Sequence, residues 1–240
     1  HKKERIMTII SFKHKFIFIK NPKVAGTSIE LALSEHLGPE DVLTPLFDYD
    51  EQEKQLEIYK LPQNYIYSSR VNHFKAFPRL LYRTLRPGAY PQLFVEIESA
   101  VYLRNMLGKN IFDSYYKFCF ERNPYDKVVS SYHYSLKFAD HHFSFQEYMN
   151  ERGYIGNNWH LYSENDQILV NDVYKFESLE ESIKTLSDKL GLAIKLPTHK
   201  FKATSRKKGT YKDLVKPGSK EKKRIDKVFK KEFKSFNFRY

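Results

Sequence analysis

Apolar positions first gather in Phe16-Ile17-Phe18-Ile19, four residues with no polar interruption. A run this short, made of aromatic and β-branched residues, predicts a buried strand. A polar turn, Asn21-Pro22-Lys23-Val24-Ala25-Gly26, follows. Thr27–Leu33 then takes helical character, with a Thr/Ser start suited to capping, and Gly38-Pro39 ends it. Residues 39–64 are polar and marked by proline, which predicts a long loop with a helical turn around Glu51–Tyr59. Tyr65-Ile66-Tyr67 reads as a second strand. Pro and Gly break the pattern from Pro78 to Pro91, predicting an insertion or lid over 77–92. Helical spacing returns over Ser99–Leu107 and stops at Gly108.

The second half repeats the alternation. Tyr115–Glu121 (YYKFCFE) reads as a core strand, then Arg122-Asn123-Pro124 leads into a helix over Tyr125–Phe138, with Pro124 suited to its first turn. Helix is expected over Phe143–Glu151 and strand over Asn171–Phe176. Ser178–Leu190 is an amphipathic helix with Ser178 as cap, Glu181 completing a capping box and Gly191 closing it. A basic loop, Lys202–Lys216, precedes a basic helix over Ser219–Phe233. Strands alternating with helices predict an α/β fold, a mostly parallel central sheet flanked by helices. The length fits one domain over 1–240, with the insertion at 77–92 and the basic loop and helix at 202–233 as elaborations. In such sheets ligands bind at the C-terminal ends of the strands, where the loops after Ile19 and after Glu121 both fall.

Charge adds a second theme. The net charge of +12 is concentrated at the C-terminus: Lys195–Tyr240 holds 17 Lys and Arg against 4 Asp and Glu. That surplus suits an acidic small molecule, nucleic acid or a membrane surface, or a solvated basic helix. The single cysteine, Cys119, precludes an internal disulfide, and zinc-ligand spacings are absent. No stretch approaches the ~20 apolar residues of a membrane helix, and no secretory signal is evident, so a cytoplasmic protein without an integral membrane segment is expected.

The turn after Ile19 carries chemistry. A strand feeding a tight loop and a helix presents free backbone N–H groups, and the helix dipole adds positive potential. Gly26 lets backbone approach an anion, Thr27 and Ser28 add hydroxyls, and Lys23 adds a mobile cation. It departs from a Walker A loop, which wants G-x-x-x-x-G-K-[ST], because Lys23 precedes Gly26 and the first glycine is missing.

Phe16–Ser28 (FIFIKNPKVAGTS) resembles the 5′-phosphosulfate loop of sulfotransferases that use 3′-phosphoadenosine-5′-phosphosulfate (PAPS), in particular the carbohydrate and bacterial branch. Tyr116–Tyr132 (YKFCFERNPYDKVVSSY) resembles that family's 3′-phosphate segment, with Arg122 and Ser130 in the places of its Arg and Ser. Ser205–Tyr211 (SRKKGTY) is a looser match to its basic nucleotide-closing loop. The resemblance implies a P-loop nucleoside triphosphate hydrolase-like sulfotransferase fold, PAPS as co-substrate with no metal required, and a carbohydrate or small-molecule acceptor rather than nucleic acid.

It also implies roles. Lys23 would stabilise charge on the bridging oxygen, and the Lys23, Ala25, Gly26, Thr27 and Ser28 loop would hold the 5′ phosphate. Arg122 and Ser130 would read the 3′ phosphate, with Arg206, Lys207, Lys208 and Gly209 closing that side. The acceptor must lose a proton to a general base. Relatives often place a His before the helix that aligns with Ser99–Gly108, but Ile97 stands there between Glu96 and Glu98. His73 is the candidate base, with Glu98 and Glu96 as alternatives. Phe77–Gln92 and Tyr132–Phe145 are the expected specificity regions. Two rival functions are a P-loop small-molecule kinase, which lacks its Gly-Lys-[ST], and a basic nucleic-acid-binding protein.

Overall fold

The computed structural model describes residues 8–44, 61–65, 68–70, 99–152, 157–197 and 210–240. Strand β1 (Thr8–Ser11) turns back at Lys15 (φ 55°) to pair antiparallel with β2 (Phe16–Ile19). Asp41, fully buried, holds this turn to the chain beyond the first helix. One of its oxygens accepts from the backbone N–H groups of Phe12 and Lys13, the other from Ser11 Oγ and Gly38 N–H. Helix α1 (Gly26–Ser34) follows β2, and β3 (Val42–Leu43) adds antiparallel to β1.

Helices α2 (Ala100–Leu107) and α3 (Lys109–Ser114) lead into β4 (Tyr116–Glu121), which lies parallel to β2. Then come α4 (Pro124–Leu136), α5 (Phe145–Arg152), α6 (Trp159–Tyr162), the small hairpin β5 (Ser163–Glu164) and β6 (Gln167–Ile168), and β7 (Asp172–Lys175). β7 pairs parallel with β4, giving the order β3-β1-β2-β4-β7. Helix α7 (Leu179–Leu190) and the C-terminal pair α8 (Lys220–Val228) and α9 (Lys230–Phe236) complete the chain.

The sheet is mixed rather than mostly parallel, since two of its four pairings are antiparallel. The quartet Thr8–Ser11, whose two isoleucines lie between polar residues, supplies the unforeseen strand that makes both of them. Successive strand residues face opposite sides of a sheet. Ile10, Ile17, Ile19 and Cys119 therefore pack with Leu103, Met106 and Trp159 on one face. Ile9, Phe16, Phe18, Phe118 and Phe120 pack with Ile29, Leu33 and Leu186 of α1 and α7 on the other. Much of the aromatic surplus is spent here: Phe18 stacks on Phe118 at 5.4 Å, and Phe120 lies 5.3 Å from Tyr174. A third cluster joins Tyr125, Val128 and Tyr132 of α4 to Tyr148, Ile225 and Phe229.

Local expectations fare unevenly. Ser99 caps α2 by accepting from Tyr102 N–H at 3.2 Å, and Pro124 begins α4. Ser178 sits at the N-cap of α7 without a side-chain bond, so the expected capping box is not formed there. A short 3₁₀ turn, Phe176–Ser178, already tightens that entry. A capping box does form between Thr210 and Asp213, at the 3₁₀ turn Tyr211–Asp213. The basic helix expected over Ser219–Phe233 is divided at Phe229 (φ −102°, ψ 24°), a fully buried ring that keeps Ile225 and Glu232 on the inner side. Tyr65 lies in a bend, and it is Gln63 that bridges to Leu43. The helical turn at 51–59, Ile66, Tyr67 and the insertion at 77–92 lie outside the described residues.

Candidate anion-binding site

Strands β2 and β4 are adjacent and parallel, so the loops that leave them emerge on the same edge of the sheet. Each loop delivers the chain into a helix N-terminus, that of α1 and that of α4.

The first loop is Asn21–Ala25. Lys23 (φ 62°) and Ala25 (φ 57°) are both left-handed, a conformation that costs a non-glycine residue about 1–2 kcal/mol and survives only where its surroundings enforce it. Ala25, not Thr27 or Ser28, is the N-cap of α1. No side chain caps that end, and no acidic residue occupies the first turn. The first N–H groups of α1 thus keep the polarity that draws anions to helix starts.

Beneath the loop runs a residue that sequence inspection passed over. Lys20 is 7 % exposed, and its Nζ donates to Glu30 Oε2 at 2.8 Å and to Thr27 Oγ1 at 3.3 Å. The trace of it in the sequence is Glu30, an acid in the otherwise apolar run Ile29–Leu33, which demands a buried cation. Lys20 also revises the role of Gly26. A Cβ on Gly26 would meet Lys20 Cγ and Cε at 2.7 Å, so the glycine makes room for the lysine stem. Gly26→Ala is therefore expected to destabilise the chain by about 1–3 kcal/mol, read as a lower urea midpoint. An unchanged midpoint would contradict this packing.

The second loop is Arg122-Asn123. Arg122 is mostly buried; its Nε donates to Asp126 Oδ2 at 2.6 Å and its guanidinium lies 4.3 Å from the Phe176 ring centroid. Its Nη1 donates to the Lys23 carbonyl at 3.2 Å, so the two loops touch directly. Asn123 caps α4 by accepting from Tyr125 N–H and donates to Arg239 O, while its N–H donates to Glu177. Tyr125 stacks on Tyr211 at 5.6 Å, bringing the C-terminal segment against the same helix start. Ser130 lies two turns along α4, half-buried.

The Lys23 ammonium stands 3.1 Å from the centroid of the Tyr134 ring, a cation–π arrangement. Of the region 132–145 expected to set specificity, Tyr132 and Phe145 are core, leaving Tyr134 as the aromatic group that meets the lysine. His73, Glu96, Glu98, Arg206, Lys207, Lys208 and Gly209 lie outside the described residues. Among the described residues no group of three or more His, Cys, Asp or Glu is arranged to hold a metal ion. No helix among them is long and apolar enough to cross a membrane.

Behind both loops lies a buried polar layer. Glu121 and Lys127 form a wholly buried ion pair at 2.7 Å. Glu232 of α9 is equally buried, and neither carboxylate oxygen has a hydrogen-bond partner among the described residues. Burial raises its pKa to about 7, with the Lys127 ammonium opposing the shift and Glu121 adding to it. The folded chain then holds this proton where the unfolded chain has released it, so stability falls as pH rises from about 4.5 to about 7. Glu232→Gln removes that loss. It should be stabilising by about 3 kcal/mol at pH 8, with the gain shrinking toward zero near pH 4.5. Denaturation of both forms across this range checks it; a constant gap would show that Glu232 ionises normally.

No protein-family model matches the chain. It is 39% identical over 95 residues to an uncharacterized protein of Archaeoglobus fulgidus, a match covering 38% of this chain and 79% of that protein. The two belong to one family. In three dimensions the chain is similar to retinol dehydratase, solved in complex with androsterone and the inactive cofactor PAP. That match has a TM-score of 0.36 and 15% identity, over 96% of this chain and 84% of that one. A likeness of that degree bears no weight for fold or chemistry.

Proposed function

We propose that this chain is a PAPS-dependent sulfotransferase of the P-loop-like fold, passing a sulfuryl group to an acceptor hydroxyl or amine. The observation that carries the proposal is the contact between the two loops. Arg122 donates to the Lys23 carbonyl, so the uncapped start of α1 and the start of α4 share one edge of the parallel β2–β4 pair. A nucleotide with phosphates at both its 5′ and 3′ positions has two anionic ends to match two such anchors. A nucleoside triphosphate needs only one.

On this proposal the N–H groups of Gly26, Thr27 and Ser28, with Ala25 turning the chain, hold the 5′ phosphate. Lys20 favours a donating role for Thr27: its ammonium occupies the hydroxyl oxygen as acceptor, which turns the hydroxyl hydrogen outward. Arg122 and Ser130 receive the 3′ phosphate, the guanidinium exchanging part of its hold on Asp126 for the ligand. Arg206, Lys207, Lys208 and Gly209 close over that side. As the S–O bond to the nucleotide lengthens, negative charge grows on the bridging oxygen. Lys23 leaves Tyr134 to meet it, an interaction stronger in the transition state than before it. The acceptor's proton passes to His73, or to Glu98 or Glu96. No step calls on a metal.

The acceptor is proposed to be a sugar hydroxyl or another small molecule, with 77–92 and Tyr134 among the groups that select it. Donor labelled in the sulfuryl group, offered with a panel of sugars, phenols and amines, tests this. Transfer to at least one acceptor, lost in Lys23→Ala, is expected. Tight donor binding with no transfer to any of them would contradict the catalytic assignment.

A further inference from the structure

One buried carboxylate has no part in the chemistry above and yet touches both anchoring loops. Glu121 ends β4 with no accessible surface. Its Oε1 accepts from Asn21 Nδ2 at 3.2 Å, and Asn21 opens the β2–α1 loop. The same amide nitrogen also donates to the Phe120 carbonyl at 2.8 Å, fastening that loop to β4 a second time. Glu121 Oε2 accepts from the Arg122 N–H at 3.2 Å and from Lys127 Nζ at 2.7 Å. Lys127 belongs to α4, the helix that carries Ser130. A single side chain thus ties together the first residue of one loop, the first residue of the other, and the helix behind them.

A carboxylate suits this place for a reason of valence. Asn21, Arg122 and Lys127 all point donors at it, and an ionised carboxylate offers only acceptors. A glutamine would set its own NH₂ against one of them. Burying an ion pair brings little net stability compared with apolar packing, so the pair calls for a purpose other than stability.

We propose that Glu121 is a positioning residue that fixes the separation of the two loops, so that both phosphates of a 3′,5′-bisphosphorylated nucleotide are gripped at once. This rests on the sulfotransferase proposal but concerns a different property: the coupling of the two half-sites, not the affinity of either. Two phosphates on one nucleoside make a bivalent ligand. The second contact is intramolecular, and its advantage depends on how well the spacing of the loops matches that of the phosphates. Loops already held apart at that spacing spare the cost of ordering them on binding. Loosening the tie would leave each anchor intact and spoil only their cooperation.

The test titrates the intact chain with three probes: adenosine 3′,5′-bisphosphate, adenosine 5′-monophosphate and adenosine 3′-monophosphate. Wild type is compared with the double variant Glu121→Gln/Lys127→Met, which removes both charges of the pair together. Both monophosphates should bind within about twofold of wild type, while the bisphosphate loses about tenfold or more. Asn21→Ala keeps the Glu121–Lys127 pair and should show the same selective loss at smaller size, which serves if the double variant does not fold. Bisphosphate affinity that is unchanged, or that falls no more than the monophosphates, would overturn the assignment of Glu121. If wild type itself prefers the bisphosphate to neither monophosphate, the two-anchor site fails and this inference falls with it.

Discussion

Lys23→Ala is expected to lower turnover roughly 10²–10³-fold while shifting the dissociation constant of the bisphosphate product by less than about threefold, the pattern of a group whose main interaction forms in the transition state. The loop is tied to Arg122 through the Lys23 backbone carbonyl, not its side chain, so shortening the side chain leaves the cradle standing. Its ammonium rests against the Tyr134 ring, and a cation–π contact is light enough to be exchanged for a developing oxyanion. Lys20 is the contrast, a buried cation paired with Glu30 at 2.8 Å. Single-turnover kinetics of donor consumption, set beside product binding by calorimetry, separate the two quantities. Equal losses in both would make Lys23 a binding group only.

The second large effect concerns stability. Lys127→Met leaves the Glu121 carboxylate fully buried and without its ammonium, with Glu232 close enough to feel the same field. Stranding one member of a buried pair costs about 3–5 kcal/mol, which in a domain of ordinary stability brings the chain near to unfolding. Adding Glu121→Gln to the same chain should restore most of the loss, since the stranded charge, not the missing attraction, carries the penalty. Guanidinium denaturation of the single and double variants measures both terms. A loss below about 1 kcal/mol in the single variant would mean that water reaches the pair.

Much of the fold was legible because the apolar runs were clean. Phe16–Ile19 coincides with β2, Tyr115–Glu121 covers β4, and Pro124 opens α4. The strand Thr8–Ser11 was not legible, because Ile9 and Ile10 between Thr8 and Ser11 give neither an alternating nor an unbroken apolar run. With it went the antiparallel half of the sheet, which depends on pairing partners distant in sequence. Caps were legible in residue type but not in outcome. Ser99 caps its helix and Ser178 does not, a difference decided by backbone geometry just outside the helix.

The candidate site divides in a similar way. Motif spacing pointed to Lys23–Ser28 and to Arg122, because strand-loop-helix chemistry is local. Lys20–Glu30 and Asn21–Glu121–Lys127 link residues across elements and become visible only when β2, β4, α1 and α4 are assembled. Gly26 shows the same limit, since its neighbour on the inner side is a lysine stem that no motif records.

A ligand that bridges the two anchors is the central requirement of a sulfuryl donor site here. Thermal unfolding of the intact chain with adenosine 3′,5′-bisphosphate, with ATP and magnesium, and with duplex DNA is the most direct measurement. The bisphosphate should raise the unfolding temperature most, by several degrees at concentrations far above its dissociation constant. A rise with ATP and magnesium, or with DNA, and none with the bisphosphate would contradict it.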